Sequence, residues 1–431
     1  MPKSRFSKTT PLAHEFMFNR LSPSILVSFA VIAASQITLL LIIASSSSHP
    51  VYDEIWFLDS VALLQRDGIS MAFLRNLPGA PGPTSTIAYG IVIAAFGLQL
   101  PWLRLVGFIF LLASSGLLAA IFATRDVRIG DLSQPTNRFM QAGVFVTLPT
   151  TAVSCGMTLT EIPAIFFVLI STLLLSAIER DQKSTAASVV AGFMLGLAVL
   201  GRQNYLVIFP CLAVLVNWKL LRSSLGRLIS VGLVAALVCG PVFLVWGGLV
   251  PPKAAFYGLG EKITPWLFVL SVGYLGIMAF IIEPCIYVPV FNSWRKAIGA
   301  TAVSLAIAIS MARPIVPAST ALSFLDETAT WAIGWSFSWL MACLATTFLC
   351  AMGQRLYTQR SDRFMLFSGF VVILGALSNA NVIIFSSRYV FVFLPFLLIN
   401  LASSMKITWH LPVRLMAGSS IGLLSLASYF R

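Results

Sequence analysis

Apolar segments of about 18 or more residues recur along the whole chain and are separated by short polar connections. A helix of about 20 apolar residues crosses a hydrocarbon core of about 30 Å. The pattern therefore predicts an all-α, polytopic membrane protein of about 13 spans, in a single transmembrane domain covering residues 1–431. The predicted spans are residues 24–45, 103–123, 139–158, 162–178, 186–201, 205–221, 228–249, 265–286, 297–312, 331–352, 364–385, 389–405 and 415–430.

The longest polar segment, about residues 46–102, follows the first predicted span. It contains an acidic pair, Asp53 and Glu54, and a Pro/Gly-rich run at residues 78–83. It also contains an apolar stretch, residues 86–98, which is short for a full crossing. We expect this stretch to lie at the membrane interface or to re-enter the membrane from the same side.

Basic residues in the short connections predict the orientation, because Lys and Arg accumulate on the cytoplasmic side. The basic connections contain Arg125, Arg128, Arg180, Lys183, Arg222, Arg227, Arg295, Lys296, Arg355, Arg360, Arg363 and Lys406, and the N-terminal tail contains Lys3, Arg5, Lys8 and Arg20. With 13 spans the strong basic clusters share one side of the membrane. Counting residues 86–98 as a further span would invert every later connection and place the later basic clusters on the side opposite to the N-terminal tail. The long loop, residues 46–102, is therefore predicted to face outward.

Composition agrees with this class, since 58% of the 431 residues are hydrophobic and only 10% are charged. Soluble domains carry about 25% charged residues. The net charge of +13 is explained by the basic connections, so we expect no nucleic-acid partner. The six cysteines form no C-x-x-C pair and the three histidines are scattered, so we expect no metal and no cofactor. The first span is too long for a signal peptide and is expected to be retained.

A few polar residues stand apart from the basic clusters, and all of them fall on the predicted outer face. Charged groups near hydrocarbon are costly and mark function by default. These candidate residues are the acids Asp53, Glu54 and Glu161, and the pairs Arg202-Gln203 and Arg388-Tyr389. The two arginines lie on the side that the basic-loop rule leaves poor in positive charge.

This set of residues suits sugar transfer from a polyprenyl-phosphate donor. The acceptor hydroxyl needs a carboxylate as general base, for which Asp53 is the first candidate, Glu54 the alternative and Glu161 the reserve. The lipid-phosphate leaving group needs fixed cations, and arginine binds phosphate oxygens bidentately. Arg202 and Arg388, with their neighbours Gln203 and Tyr389, are the predicted donor-phosphate site.

Each candidate also has a simpler interpretation. Asp53 and Glu54 fit a solvated loop pair, Glu161 fits a helix N-terminus, and the two arginines fit snorkelling towards lipid head groups. For the whole protein, the alternative function is a lipid or sugar transporter or flippase, and a third is a structural membrane protein. A transporter is expected to place ionisable groups near the middle of several spans, which here carry almost none.

The order of these features resembles the class C glycosyltransferases, known as the GT-C fold. Within them the chain most resembles the family of the endoplasmic-reticulum glucosyltransferase that adds the terminal α-1,2-linked glucose to the dolichol-linked oligosaccharide. The matching residues are Tyr52-Asp53-Glu54-Ile55, Leu103-Arg104-Leu105-Val106, Leu148-Pro149-Thr150, Thr160-Glu161, Arg202-Gln203-Asn204, Arg388-Tyr389 and Leu394-Pro395.

The resemblance implies an acidic residue acting from the first outer loop. It also implies transfer of a hexose such as glucose from a polyprenyl-phosphate donor to a lipid-linked or cell-envelope glycan acceptor. The reaction would take place at the periplasmic or lumenal face. The host membrane would be the bacterial plasma membrane, or the endoplasmic reticulum membrane in a eukaryote.

The predicted orientation can be tested with a single cysteine in the long loop. A Ser47→Cys variant should react with a membrane-impermeant thiol reagent in intact cells, because residues 46–102 are predicted to face outward. The unsubstituted chain is the control for its native cysteines. Labelling that occurs only after permeabilisation would reverse the topology.

Overall fold

A computed structural model of the protein describes residues 23–125, 134–181, 184–257, 263–310, 326–382, 385–406 and 408–430. Within these ranges the chain consists of helices and their connections, without a strand. The predicted basic tail (Lys3, Arg5, Lys8 and Arg20), together with Arg128 and Lys183, lies outside the described residues. The all-α prediction is confirmed for the described part of the chain.

The α-helices are α1 (Pro23–Ala44), α2 (Glu54–Asp67), α3 (Met71–Arg75), α4 (Pro83–Phe96), α5 (Leu105–Thr124), α6 (Gln134–Thr147), α7 (Pro149–Gly156), α8 (Glu161–Asp181), α9 (Thr185–Gly201), α10 (Ile208–Cys211), α11 (Leu221–Trp246), α12 (Pro265–Ile282), α13 (Val288–Phe291), α14 (Trp294–Ser310), α15 (Glu327–Thr358), α16 (Arg363–Ser378), α17 (Arg388–Phe391), α18 (Leu394–Leu401) and α19 (His410–Tyr429). Short 3₁₀ helices are Trp102–Arg104, Gln203–Val207, Leu212–Leu215, Trp218–Leu220, Pro252–Tyr257, Pro284–Tyr287, Asn379–Asn381 and Ala402–Ser404.

Eight helices are long and apolar enough to cross a membrane, which confirms a polytopic integral membrane protein. These helices are Pro23–Ala44, Trp102–Thr124, Glu161–Arg180, Trp218–Trp246, Pro265–Ile282, Glu327–Thr358, Arg363–Asn381 and His410–Tyr429. Several other predicted spans are shorter or interrupted helices, so the count of about 13 spans stays a prediction.

Three of the interrupted spans contain a proline. The predicted span 139–158 is two helices, because Leu148 is extended before Pro149 and Pro149 starts α7. Proline lacks a backbone N–H, and it disfavours the helical conformation at the preceding residue. Pro210 and Pro395 lie in the predicted spans 205–221 and 389–405, which the structure builds from short α and 3₁₀ segments.

The apolar stretch 86–98 does not cross the bundle. It belongs to α4, whose first turn is anchored where the Ser85 hydroxyl donates to the Thr160 carbonyl at 3.1 Å. After α4 the chain returns to the same end of the bundle, where Arg104 binds Glu54. Both ends of the stretch therefore lie on one side, in agreement with an interfacial or re-entrant helix.

The bundle has two chemically distinct ends, which we call the site end and the basic end. Glu54, Glu161 and Arg388 lie at the site end. The basic end holds Arg125, which pairs with Glu179 at 2.9 Å, and Arg355, which binds Asn400. The long helices run alternately between these ends, so the basic connections gather at one end as the sequence predicts.

Close packing of α9 against α11 fixes the position of the residues that follow α9. A Cβ on Gly192 would lie 2.6 Å from the Val231 carbonyl, and one on Gly196 would lie 2.6 Å from the Val238 Cβ. This small-xxx-small spacing lets two membrane helices approach closely. Arg202 follows directly at the end of α9 and is held at the site end by this contact.

Candidate active site

A fully buried ion pair, Glu54 with Arg104, lies at the centre of the site end. Both side chains have 0% exposure. The guanidinium binds the carboxylate as a fork, with Nε–Oε1 at 2.9 Å and Nη2–Oε2 at 2.6 Å. The backbone N–H groups of Val51 and Thr158 donate to the same carboxylate at 2.9 and 2.7 Å. Four donors therefore surround the Glu54 carboxylate.

Arg104 completes its coordination on the segment that follows α1. Its Nη1 donates to the Ser46 hydroxyl and the Ser47 carbonyl, each at 2.7 Å, and its Nη2 donates to the His49 carbonyl at 3.1 Å. The Phe430 ring, just after α19, covers the guanidinium at 4.5 Å. The pair thus connects the ends of α1 and α19 with the starts of α2 and α5.

A second charged cluster lies beside this pair and joins Asp53, Glu161, Arg202 and Arg388. Arg388 lies between the two acids, with Nη2 at 2.5 Å from the Asp53 Oδ2 and Nη1 at 3.5 Å from the Glu161 Oε1. Arg202 donates to the same Glu161 oxygen through its Nη2. The contact between Asp53 and Arg388 spans 335 positions of the sequence. We call these four residues the charged cluster.

The members of the charged cluster differ in their access to water and in their remaining bonding capacity. Asp53 has a side chain that is 36% exposed, whereas Glu161 has 0% and Arg388 5%. Among the described residues, the buried Glu161 Oε2, Arg202 Nε and Arg388 Nη1 have no hydrogen-bond partner. Buried polar atoms are normally satisfied, so these three are available to a polar ligand.

Aromatic rings flank both arginines. Tyr52 lies 4.8 Å from the Arg388 guanidinium, and Tyr389 lies 5.9 Å from that of Arg202. Tyr52 has a φ of +54°, a left-handed conformation that disfavours a residue with a Cβ by about 1–2 kcal/mol. This strained residue directly precedes Asp53, so local backbone strain accompanies the exposed carboxylate.

The charged cluster keeps Arg388 ionised although it is buried before α18. Burial alone would lower the pKa of Arg388, but the carboxylates of Glu161 and Asp53 raise it above its usual range. The guanidinium is therefore a permanent cation at this position. A permanent cation suits the binding of a phosphate whose negative charge increases during a reaction.

Most of the predicted site residues meet at this end. Asp53, Glu161, Arg202 and Arg388 form one cluster, and Tyr389 lies against it. Gln203 does not join them, because its amide donates to the Ala80 and Leu249 carbonyls at 2.6 and 3.1 Å. Gln203 therefore fastens the Pro/Gly-rich run to a neighbouring loop.

Arg104 is a central residue of the site end that is absent from the site residues predicted from the sequence. The signal that would have found it was present: it is an arginine on the predicted outer face, as Arg202 and Arg388 are. Glu54 is found at this end but belongs to the separate pair with Arg104.

Comparisons with known proteins give only distant matches. No protein-family model matches the chain, and no curated protein matches its sequence. The solved structures that it resembles include ArnT from Cupriavidus metallidurans bound to undecaprenyl phosphate. That match has 14% identity and a TM-score of 0.47, and it covers 95% of this chain and 79% of that chain.

A second match is the archaeal oligosaccharyltransferase AglB from Archaeoglobus fulgidus, in complex with an inhibitory peptide and a dolichol-phosphate. It has 14% identity and a TM-score of 0.38, and it covers 92% of this chain and 56% of that chain. Matches with this identity and TM-score carry no argument about function. A function therefore has to be argued from the charged cluster itself.

The simpler interpretations of the candidate residues do not fit the geometry. Glu54 is buried and Asp53 is paired, so they are not a solvated loop pair. Arg202 and Arg388 are at most 9% exposed and bind Glu161, so they do not extend towards lipid head groups. Glu161 is indeed the first residue of α8, but it also holds both arginines. Ion pairing across distant segments therefore explains these residues better than their local positions.

Removing one charge of the buried pair should destabilise the protein strongly. Glu54→Gln leaves the Arg104 cation buried without a counter-ion, which costs about 3–5 kcal/mol in buried pairs. The pair of Arg66 and Asp67 on α2, whose arginine is 71% exposed, is the matched control, and Asp67→Asn should leave the unfolding temperature unchanged. Thermal unfolding of the purified protein in detergent measures both. Equal unfolding temperatures for Glu54→Gln and Asp67→Asn would contradict the structural role of the pair.

Proposed function

We propose that this protein is a glycosyltransferase that moves a sugar, a hexose such as glucose, from a polyprenyl-phosphate donor to a lipid-linked or cell-envelope glycan acceptor. The proposal rests on one observation, the charged cluster: two buried arginines share a carboxylate beside a second, partly exposed carboxylate. The reaction would take place at the outer face of the membrane, where the basic-loop rule places the site end.

The arginines supply the phosphate site in this proposal. Arg202 Nε and Arg388 Nη1 are buried and make no hydrogen bond in the described part of the chain, so each can donate to a phosphate oxygen. Tyr389 would border the phosphate through its contact with Arg202. Gln203 would act indirectly, by holding the loop at residues 78–83 in place.

Asp53 is the proposed general base. Its side chain is partly exposed, and only its Oδ2 is bound by Arg388, which leaves Oδ1 open to an acceptor hydroxyl. In the reaction, the acceptor oxygen bonds to the anomeric carbon and its proton passes to Asp53. The bond from that carbon to the phosphate oxygen breaks, and the leaving phosphate takes the electron pair and gains one negative charge.

The pairing of Asp53 with Arg388 couples these two events. A protonated Asp53 attracts the guanidinium less strongly, so Arg388 becomes free to bind the phosphate as its charge grows. Stabilisation that increases along the reaction is the kind that accelerates it. Glu161 holds both arginines in position and is the reserve base, whereas Glu54 has no free acceptor position.

The arrangement of buried charges favours an enzyme over a transporter or flippase. The buried acidic and basic side chains of the described ranges lie at the two ends of the bundle. These residues are Glu54, Arg104, Glu161, Arg202 and Arg388 at the site end, and Arg227 and Glu283 at the basic end. A transporter is expected to bind its substrate near the middle of the membrane.

The phosphate role of Arg388 can be tested with Arg388→Lys. Lysine keeps the charge but loses the planar fork, so we expect kcat/KM for a polyprenyl-phosphate sugar to fall about 10²–10³-fold. Arg66→Lys is the matched control, because Arg66 is exposed on α2. The assay uses purified protein and a panel of polyprenyl-phosphate sugars. Unchanged transfer and donor binding in Arg388→Lys would remove Arg388 from the phosphate site.

The base is tested with Asp53→Asn, which is nearly isosteric but cannot accept a proton. Transfer should fall by about 10²–10⁴-fold, the usual contribution of a well-placed base, while donor binding persists. Asp59→Asn, at an exposed position of α2, should have normal activity. Full transfer activity in Asp53→Asn would exclude this residue and direct the same test to Glu161→Gln.

A further inference from the structure

A cavity of about 530 Å³ opens at the basic end, far from the charged cluster. It lies between the C-terminal part of α15, the segment 285–289 and residues 403–406. Its polar lining residues are Gln354, Arg355, Thr358, Ser403, Ser404 and Lys406, and its apolar ones include Ile286, Pro289, Ala351 and Met405. Two basic residues line the cavity, and its lining in the described part of the chain contains no acid.

Arg355 is held in the wall of this cavity by neutral partners. Its Nε binds the Asn400 side-chain oxygen at 2.9 Å, and its Nη2 donates to the Asn400 carbonyl at 2.5 Å and the Ser403 hydroxyl at 3.0 Å. Its remaining nitrogen, Nη1, makes no hydrogen bond to the described residues. The guanidinium is thus fixed in orientation, and no carboxylate touches it among the described residues.

Glu283 contacts the backbone of two residues that line the cavity. Its two oxygens accept from the backbone N–H of Cys285 at 3.1 Å and from that of Lys406 at 2.8 Å. Arg414, on α19, lies close to it and donates to the carbonyls of residues 280 and 281. Three cations, Arg355, Lys406 and Arg414, lie near this one buried carboxylate. The region therefore carries excess positive charge.

We propose that this cavity binds the phosphate of an anionic phospholipid from the leaflet at the basic end. A fixed guanidinium, a nearby lysine and the Ser403 hydroxyl, which accepts from Arg355 and keeps its own proton, match the oxygens of a phosphodiester. The apolar side of the cavity matches the start of the acyl chains. Exposed aromatic residues nearby, Phe291, Trp294 and Tyr357, are typical of the depth at which lipid head groups lie.

This site is separate from the proposed donor site. The chain runs from Arg388 at the site end to Lys406 at the cavity in 18 residues, or about 27 Å if helical throughout, which is close to the thickness of the hydrocarbon core. The two phosphates would therefore belong to opposite leaflets. The lipid site does not rest on the proposed transfer reaction, and its test measures lipid binding alone.

The experiment measures binding of phosphatidylglycerol to the purified full chain in detergent, by native mass spectrometry. Phosphatidylcholine is the zwitterionic comparison, and inorganic phosphate tests whether the lipid is needed. Lys406→Glu should weaken phosphatidylglycerol binding about tenfold or more, because each basic residue near a lipid surface contributes substantially to the attraction. Arg222→Glu, an exposed position at the same end outside the cavity, should bind as the unsubstituted chain does.

A second variant, Arg355→Gln, tests the fork itself and should also lose binding. Because Arg355 holds Asn400, its unfolding temperature is measured in parallel. The Lys406→Glu result does not depend on that contact. Equal losses in Lys406→Glu and Arg222→Glu would indicate non-specific attraction and overturn the proposal. Equal binding of the two lipids, or inorganic phosphate that binds as tightly as phosphatidylglycerol, would overturn the lipid assignment.

Discussion

The buried pair of Glu54 and Arg104 is the interaction on which the rest of the site end depends. A charge with 0% exposure persists only when its partner and its hydrogen bonds are complete, and here four donors surround one carboxylate. Because Arg104 also binds the segment after α1, the first loop has little freedom where it enters α2. Asp53 is the neighbour of Glu54 in sequence, so the position of the partly exposed Asp53 carboxylate depends on the buried pair.

The charged cluster is built from the same kind of contact. Glu161 binds two arginines with one oxygen and leaves the other unpartnered, so the arrangement is less complete than the pair beside it. A fully satisfied buried polar network makes a fold rigid, whereas a partly satisfied one keeps polar atoms without partners. The two groups of charges, adjacent in space, thus differ in how completely their polar atoms are bonded.

The sequence predicted the class of fold and named all four residues that form the charged cluster. Hydrophobic length predicts α1, α5 and α19 well, because a continuous apolar run has few alternatives in a membrane. It does not predict the breaks at Pro149 or Pro395, since proline within a membrane segment can kink a helix or end it.

Charge bias found Arg202 and Arg388, but their partners follow from tertiary packing across hundreds of residues. For the same reason the sequence could not separate Asp53, which is partly exposed, from Glu54, which is sealed. The sequence also does not predict that the Gln203 amide donates to two backbone carbonyls.

The segment from Arg388 to Lys406 connects the two ends of the bundle over a fixed length. It is built from short α and 3₁₀ pieces around Pro395 rather than from one regular helix, and each end is fixed by contacts, to Asp53 at one and to Glu283 at the other. A membrane much thicker or thinner than this segment would have to deform, or would strain those contacts. The geometry of the charged cluster therefore depends on the thickness of the host membrane.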